Sequence, residues 1–188
     1  MKAISILIYT FLFIFNLPAT GQSEEMPHRF SSGSTSIDLL LDSDANGLGN
    51  LFSPALQYFF ADNLFIEGGL RYSQGTANSE GQPHDIRTGG ILLGLGSAFS
   101  LSHLAAFSLE AAYSYFSYDD AINGVSQPGS QEANSIQMRG LFEFFLTDRT
   151  SLGIGIGYSV LSGTSRDTTF SFDNHTTFLT TGWKFYLK

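Results

Sequence analysis

The sequence predicts an all-β protein: a closed, antiparallel, up-and-down, eight-stranded transmembrane β-barrel. Three observations predict it. From about residue 33 to the C-terminus the apolar residues recur with period two, not 3.6. The turn-formers that interrupt this pattern alternate between tight turns and long polar connections. The composition, with 14% charged residues, 20 Gly, 18 Phe and 8 Tyr in 188 residues, is poorer in charge and richer in glycine and aromatics than a water-soluble globule. The length suits one domain. With no cysteine, a disulfide framework, thiolate metal sites and thiol catalysis are excluded. A formal charge of −8 leaves no basic surface to neutralise phosphates, so no nucleic-acid partner is expected.

Residues 1–21 read as a secretory signal peptide. Met1 and Lys2 start it, Ala3 to Phe15 is an apolar and uncharged run, and Ala19 and Gly21 are the small residues before cleavage at Gln22. The run is shorter than the roughly 20 residues of a membrane-spanning helix. Residues 22–32 are then a loose leader, and 33–188 form the barrel.

Eight strands are expected over residues 33–42, 51–60, 64–73, 87–99, 105–117, 134–146, 150–162 and 175–187. The second, fourth and sixth connections are tight: Asp62-Asn63, Ser100 to Leu104 and Thr147 to Arg149. The others are long and polar: Ser43 to Asn50, Gln74 to Ile86, Tyr118 to Ala133 and Gly163 to Asn174. One end of the structure is therefore trimmed and the other elaborated, the asymmetry of transmembrane barrels.

Side-chain phase gives each strand two faces. In the seventh, Leu152, Ile154, Ile156, Tyr158 and Val160 oppose Ser151, Gly153, Gly155, Gly157 and Ser159; in the sixth, Ile136, Met138, Phe142 and Phe144 oppose Gln137, Arg139, Leu141 and Glu143. An eight-stranded barrel is only just wide enough inside for side chains to fill, so the large apolar set does not fit there. It must face outward, into lipid. Tyr58, Phe60, Tyr113, Tyr115, Tyr158, Trp183 and Phe185 fall on that outer face, as interfacial girdles would. Pro54 removes a ladder donor and is expected near the long-loop rim, where a bulge or a short strand absorbs it.

The strand-borne charges Asp38, Glu67, Arg71, Glu110, Arg139, Glu143 and Lys184 all fall in the inward phase, and Arg87 breaks it only where its strand emerges towards a long loop. Buried charge is tolerable when paired and hydrogen-bonded, so an internal network of ion pairs interleaved across neighbouring strands is expected.

Two segments carry a resemblance. Phe144 to Tyr158, FFLTDRTSLGIGIGY, resembles the last tight-turn hairpin of the small eight-stranded outer-membrane barrels of the OmpA-like and OmpX-like kind. Thr180 to Leu187 resembles their C-terminal assembly signal through Gly182, Phe185 and Leu187, although Leu187 stands where an aromatic is usual and Lys188 follows it. The resemblance covers essentially Ser32 to Lys188. It implies an outer-membrane location with both termini periplasmic, insertion by the barrel-assembly machinery, and outer-membrane lipid as the surrounding partner.

Candidate chemistry is thin. Asp42-Ser43-Asp44-Ala45-Asn46-Gly47 opens like a calcium loop, but the twelfth position is Ser53 rather than Glu, so it reads as a polar connection. His28, His84, His103 and His175 form no ligand spacing. His175 with Thr176, Thr177 and Ser171 only loosely resembles the His-x-Ser arrangement of outer-membrane lipid A deacylases. No catalytic, metal or cofactor site is expected, and the protein reads as a non-enzyme. The expected role is structural or adhesion-like, as a monomer that meets an extracellular partner through its long loops. A narrow ion-conducting pore and a lipid-modifying enzyme are the alternatives.

Overall fold

The computed structural model describes residues 29–43, 50–79, 82–122, 125–126, 131–164 and 171–187, and side chains except at 50, 75–79, 82–86, 118–122, 125–126, 131, 164 and 171–174. The expected signal peptide and Asp44 to Gly47 of the calcium-like loop lie outside the described residues.

Nine strands follow in order: β1 (Thr35–Ser43), β2 (Asn50–Ala61), β3 (Leu64–Ser79), β4 (Gln82–Ser100), β5 (Ala105–Ile122), β6 (Val125–Ser126), β7 (Gln131–Thr147), β8 (Thr150–Thr164) and β9 (Ser171–Leu187). Eight close the barrel. Each of these pairs antiparallel with its chain neighbours, β5 with β7 included, and β1 pairs with β9 through Asp38↔Lys184 and Leu40↔Gly182. Closure matters because an open strand edge in hydrocarbon would strand its N–H and C=O groups. The two-residue β6 folds back on β5 alone, outside the closed ring.

The period-two pattern becomes two faces of opposite character. Ile66, Leu70, Leu93, Phe142, Ile154, Ile156 and Leu179 stand exposed on the outside, whereas Asp38, Gln57, Glu67, Arg71, Glu110, Arg139, Glu143 and Lys184 are buried inside. A soluble barrel has the reverse arrangement. Apolar side chains clothe the outer wall between the two rims, so this is a membrane-spanning barrel whose outer face is solvated by lipid.

The expected short turns are present at Asp62-Asn63, Leu101 to Leu104 and Asp148-Arg149. Asn63 takes the left-handed conformation, φ 64°, that closes the first of them. β2 and β7 each bulge as they reach their turn, between Phe59 and Ala61 and between Phe145 and Thr147.

At the other end the strands outrun the expectation. Residues 74–86 were expected as a loop, yet β3 and β4 stay paired up to Ser79↔Gln82, and β4 and β5 up to His84↔Ile122. Beyond the lipid both faces of a strand meet water, so the sequence there loses the alternation that marks a strand within the bilayer.

One expectation is narrowed and another corrected. Pro54 sits near the long-loop end of β2, a short strand, and not in a bulge. Its pairing with Leu39 of β1 is kept, while the β2–β3 ladder lapses at Ser53 and Pro54 and resumes in the same register, Phe52↔Tyr72 and Ala55↔Gly69. The loss of one donor is absorbed by a gap on one side of one strand. The leader is not loose throughout, because Arg29 and Phe30 are buried at the short-turn mouth.

Inward glycines let the walls approach. The Cβ of a residue at Gly155 would lie 3.0 Å from Leu141 Cα and 3.0 Å from Thr180 Cγ2, and against the Gly140 carbonyl. Gly155→Val is therefore expected to destabilise the barrel by about 1–3 kcal/mol through overpacking, read as earlier loss of heat-modifiable gel mobility. Gly89, outward and with nothing within 4 Å, is the control. Its change to Val should stay within about 0.5 kcal/mol.

Candidate functional site

The lumen is organised in layers that rise from the short-turn mouth towards the long-loop end. Its floor is aromatic: Phe30, Phe59, Phe65, Phe145 and Tyr186 pack with Ala98 and Ala106. The Phe30 ring lies 5.5 Å from Phe59 and 5.9 Å from Tyr186, centroid to centroid. Such offset and edge contacts add to the plain burial of area.

Above the floor stands Lys184. Its Nζ reaches Glu143 Oε1 at 2.9 Å, Asp38 Oδ2 at 3.3 Å and Gln57 Oε1 at 3.1 Å. The other oxygen of Glu143 accepts from the Tyr186 hydroxyl at 2.6 Å and the Ser151 hydroxyl at 2.9 Å. Each charge in this cluster has protein partners on more than one strand, the condition under which a buried ion pair holds. Gln57 ties it to the next layer by donating to Glu67 Oε2 at 2.7 Å.

Arg139 forms that next layer. One guanidinium nitrogen meets Glu110 Oε2 at 2.5 Å and Glu67 Oε1 at 3.3 Å, and another stands 3.8 Å from Asp42 Oδ1. The planar, multi-donor guanidinium suits one cation shared among several carboxylates in a way an ammonium does not. Highest of the three, Arg71 pairs with Asp42 Oδ2 at 2.9 Å and faces the Phe116 ring, 5.6 Å from its centroid.

All seven charges singled out in the sequence, Asp38, Glu67, Arg71, Glu110, Arg139, Glu143 and Lys184, thus meet in the lumen. Only Asp38–Lys184 and Glu110–Arg139 link strands that are hydrogen-bonded neighbours. Arg139–Glu67 joins β7 to β3, and Arg71–Asp42 joins β3 to β1. Barrel strands are tilted, so residues of different count from the turns stand at one level and pair across the lumen. The eighth member, Asp42, closes the first expected strand and opens the calcium-like stretch that reads as a polar connection, and it was not counted among the inward charges. It is instead buried in the lumen as the partner of Arg71. Continuing the β1 phase two residues beyond Leu40 would have found it.

The outer wall carries its own polar marks at the long-loop rim. The Tyr72 hydroxyl donates to Gln74 Oε1 at 3.1 Å, the Tyr113 hydroxyl donates to Asn134 Oδ1, and the Tyr158 hydroxyl meets His175 Nδ1 at 2.8 Å. Each tyrosine stands on the outer wall with its hydroxyl on a polar group nearer the rim, the behaviour of an interfacial residue. His175 is in this way engaged by Tyr158, with which its ring also stacks. At the C-terminal strand, Gly182 faces inward against β1, while Phe185 and Leu187 face outward. Among the described residues no group of His, Asp and Glu side chains is arranged to hold a metal ion.

No protein-family model and no curated protein sequence matches the chain. Solved structures do. The N-terminal β-barrel domain of Pseudomonas aeruginosa OprF superposes with a TM-score of 0.57 at 8% identity, over 83% of this chain and 98% of that one. Neisserial surface protein A superposes with a TM-score of 0.58 at 14% identity, over 81% and 94%. A de novo designed transmembrane β-barrel gives 0.51 at 8%, over 84% and 98%. A designed chain in this set indicates that barrel geometry alone suffices for such a match, so the likeness bears on fold and not on task. The chain has the fold of the eight-stranded outer-membrane barrels.

Proposed function

We propose that the protein resides in the outer membrane with its long-loop end outside the cell and both termini in the periplasm, and that it acts there as a structural, surface-interacting barrel. On this reading residues 1–21 direct export and are removed, and Gly182, Phe185 and Leu187 present the assembly signal to the barrel-assembly machinery. The lumen is packed with paired charges above an aromatic floor, which favours a plugged scaffold over a conducting pore.

The observation that carries the surface role is the uneven height of the wall. β1 and β2 end at Ser43 and Asn50, whereas β3, β4 and β5 on one side and β7, β8 and β9 on the other continue as paired strands, to Ser79↔Gln82 and to Thr164↔Ser171. From Tyr72 to Ser79 the sheet extends about 20 Å along the strand beyond the tyrosine belt. Among the described residues, β2 pairs with β3 only from Ser73 downward, which leaves the 74–79 edge of β3 open. A paired sheet with an open edge offers main-chain donors and acceptors to an extended protein segment.

The test compares adherence to a basement-membrane protein matrix by cells carrying the parent chain and by cells carrying a variant with residues 74–86 replaced by a two-residue turn. Adherence is expected to fall in the variant at equal surface level and unchanged heat-modifiable mobility. Equal adherence would remove the adhesive reading and leave a purely structural one.

A further inference from the structure

Before β1 the chain does not continue along the barrel axis. It turns at Ser31 to Ser34, where Gly33 has φ 88° and nothing within 4 Å of the position a Cβ would take, and runs across the short-turn mouth. Its polar groups reach all three short turns. Ser32 N donates to Asp62 Oδ1 at 2.9 Å, and Asn63 N donates to the Phe30 carbonyl at 2.7 Å, both at the first turn. Arg29 donates to the His103 carbonyl at 3.4 Å in the second turn, and to the Asp148 carbonyl at 3.1 Å and carboxylate at 3.2 Å in the third. The guanidinium also lies over the Phe145 ring, 3.8 Å from its centroid, and Phe30 drops into the aromatic floor with 5% of its surface exposed.

We propose that residues 29–34 form a strap that seals the short-turn mouth, hinged at Gly33 and separable from the barrel wall, so that its displacement opens the lumen to water without unpairing a strand. Two features separate it from the wall. Its backbone–backbone ties to the barrel among the described residues are Gly33 N to the Phe59 carbonyl at 2.8 Å, Phe59 N to the Ser34 carbonyl at 2.9 Å, and the Phe30–Asn63 bond, and the further bonds of Ser32 to Asp62 and to the Phe60 carbonyl are exposed to water. Among the described residues its ion pair is to Asp148, whose side chain is 95% exposed, so water competes for that anchor. What holds the strap down is the burial of Phe30 together with that of Arg29, whose guanidinium lies over Phe145. Phe30 completes a floor whose other rings, Phe59, Phe65, Phe145 and Tyr186, belong to the wall, and past that floor the lumen is polar, beginning with Ser36, which donates to Asp38 and lies beside Gln57.

The chain has no cysteine, so an introduced thiol is the only one present. Ser36→Cys places it behind the strap, at a position with no exposure. In purified full-length protein in detergent, modification by a charged, water-soluble thiosulfonate is expected to be slow. It should accelerate about tenfold or more when Phe30→Ala is added, the ratio that loss of one buried aromatic implies, and stay slow with Phe30→Tyr. Heat-modifiable mobility checks that each variant is folded. If Phe30→Ala does not fold, Arg29→Ala, which keeps the ring and loses the anchors, asks the same question with the same expected direction. Equal rates in the folded parent and the folded strap variant would overturn the proposal, as would fast modification of the Ser36→Cys parent.

Discussion

Arg139→Leu is expected to destabilise the barrel by about 3–5 kcal/mol, measured by urea unfolding in micelles. The wall-borne layers bury five carboxylates, Asp38, Asp42, Glu67, Glu110 and Glu143, against three cations, Arg71, Arg139 and Lys184. Arg139 is shared by three of those carboxylates. Its removal leaves Glu67 with the Gln57 amide and deprives Glu110 of its ion pair, each carboxylate still out of water. The cost is therefore the stranded acids more than the lost attraction. The double variant Arg139→Leu with Glu110→Gln should recover part of the loss, because an amide is much less costly to bury than an uncompensated carboxylate. A double variant as unstable as the two single losses summed would show that the pair is not coupled.

Ile154→Arg is expected to cost about 2–4 kcal/mol in lipid vesicles. Ile154 is outward on β8, 54% exposed, and lies between Phe142 of β7 and Thr181 of β9, well away from either rim. A guanidinium there meets hydrocarbon, with Phe142 and Thr181 and no carboxylate as its cross-strand partners. Arg87 is already exposed on the same outer phase, but it stands in register with Gln74 at the rim. The contrast isolates depth. An arginine is tolerated where the strand leaves the lipid and destabilising where it is submerged, and refolding yield of Ile154→Arg beside Ile154→Ser reads the difference.

Much of this was legible in the sequence because a membrane barrel has a strict period. The alternation of β8, Leu152 to Val160 against Ser151 to Ser159, maps directly onto the outer and inner walls. The three short turns were equally plain, since tight connections leave little room for alternatives. Less was visible where the period gives out. The β3–β4 extension looks like a loop because its residues need satisfy only water. Phe30 lacks periodic context, so one aromatic ahead of a strand did not announce a stopper. Asp42 was obscured by the turn residues that follow it. Partners across the lumen, such as Glu67 and Arg139, depend on strand stagger, which no single strand encodes.

The account rests on the outer wall being apolar and the lumen ionic. A nitroxide attached to Ile154→Cys in vesicles, probed by collision with oxygen and with a water-soluble nickel chelate, tests that most directly. High oxygen accessibility with little access to nickel is the predicted result, as for a side chain in hydrocarbon. Strong nickel collision, or protection from both relaxants as in a packed interior, would contradict it.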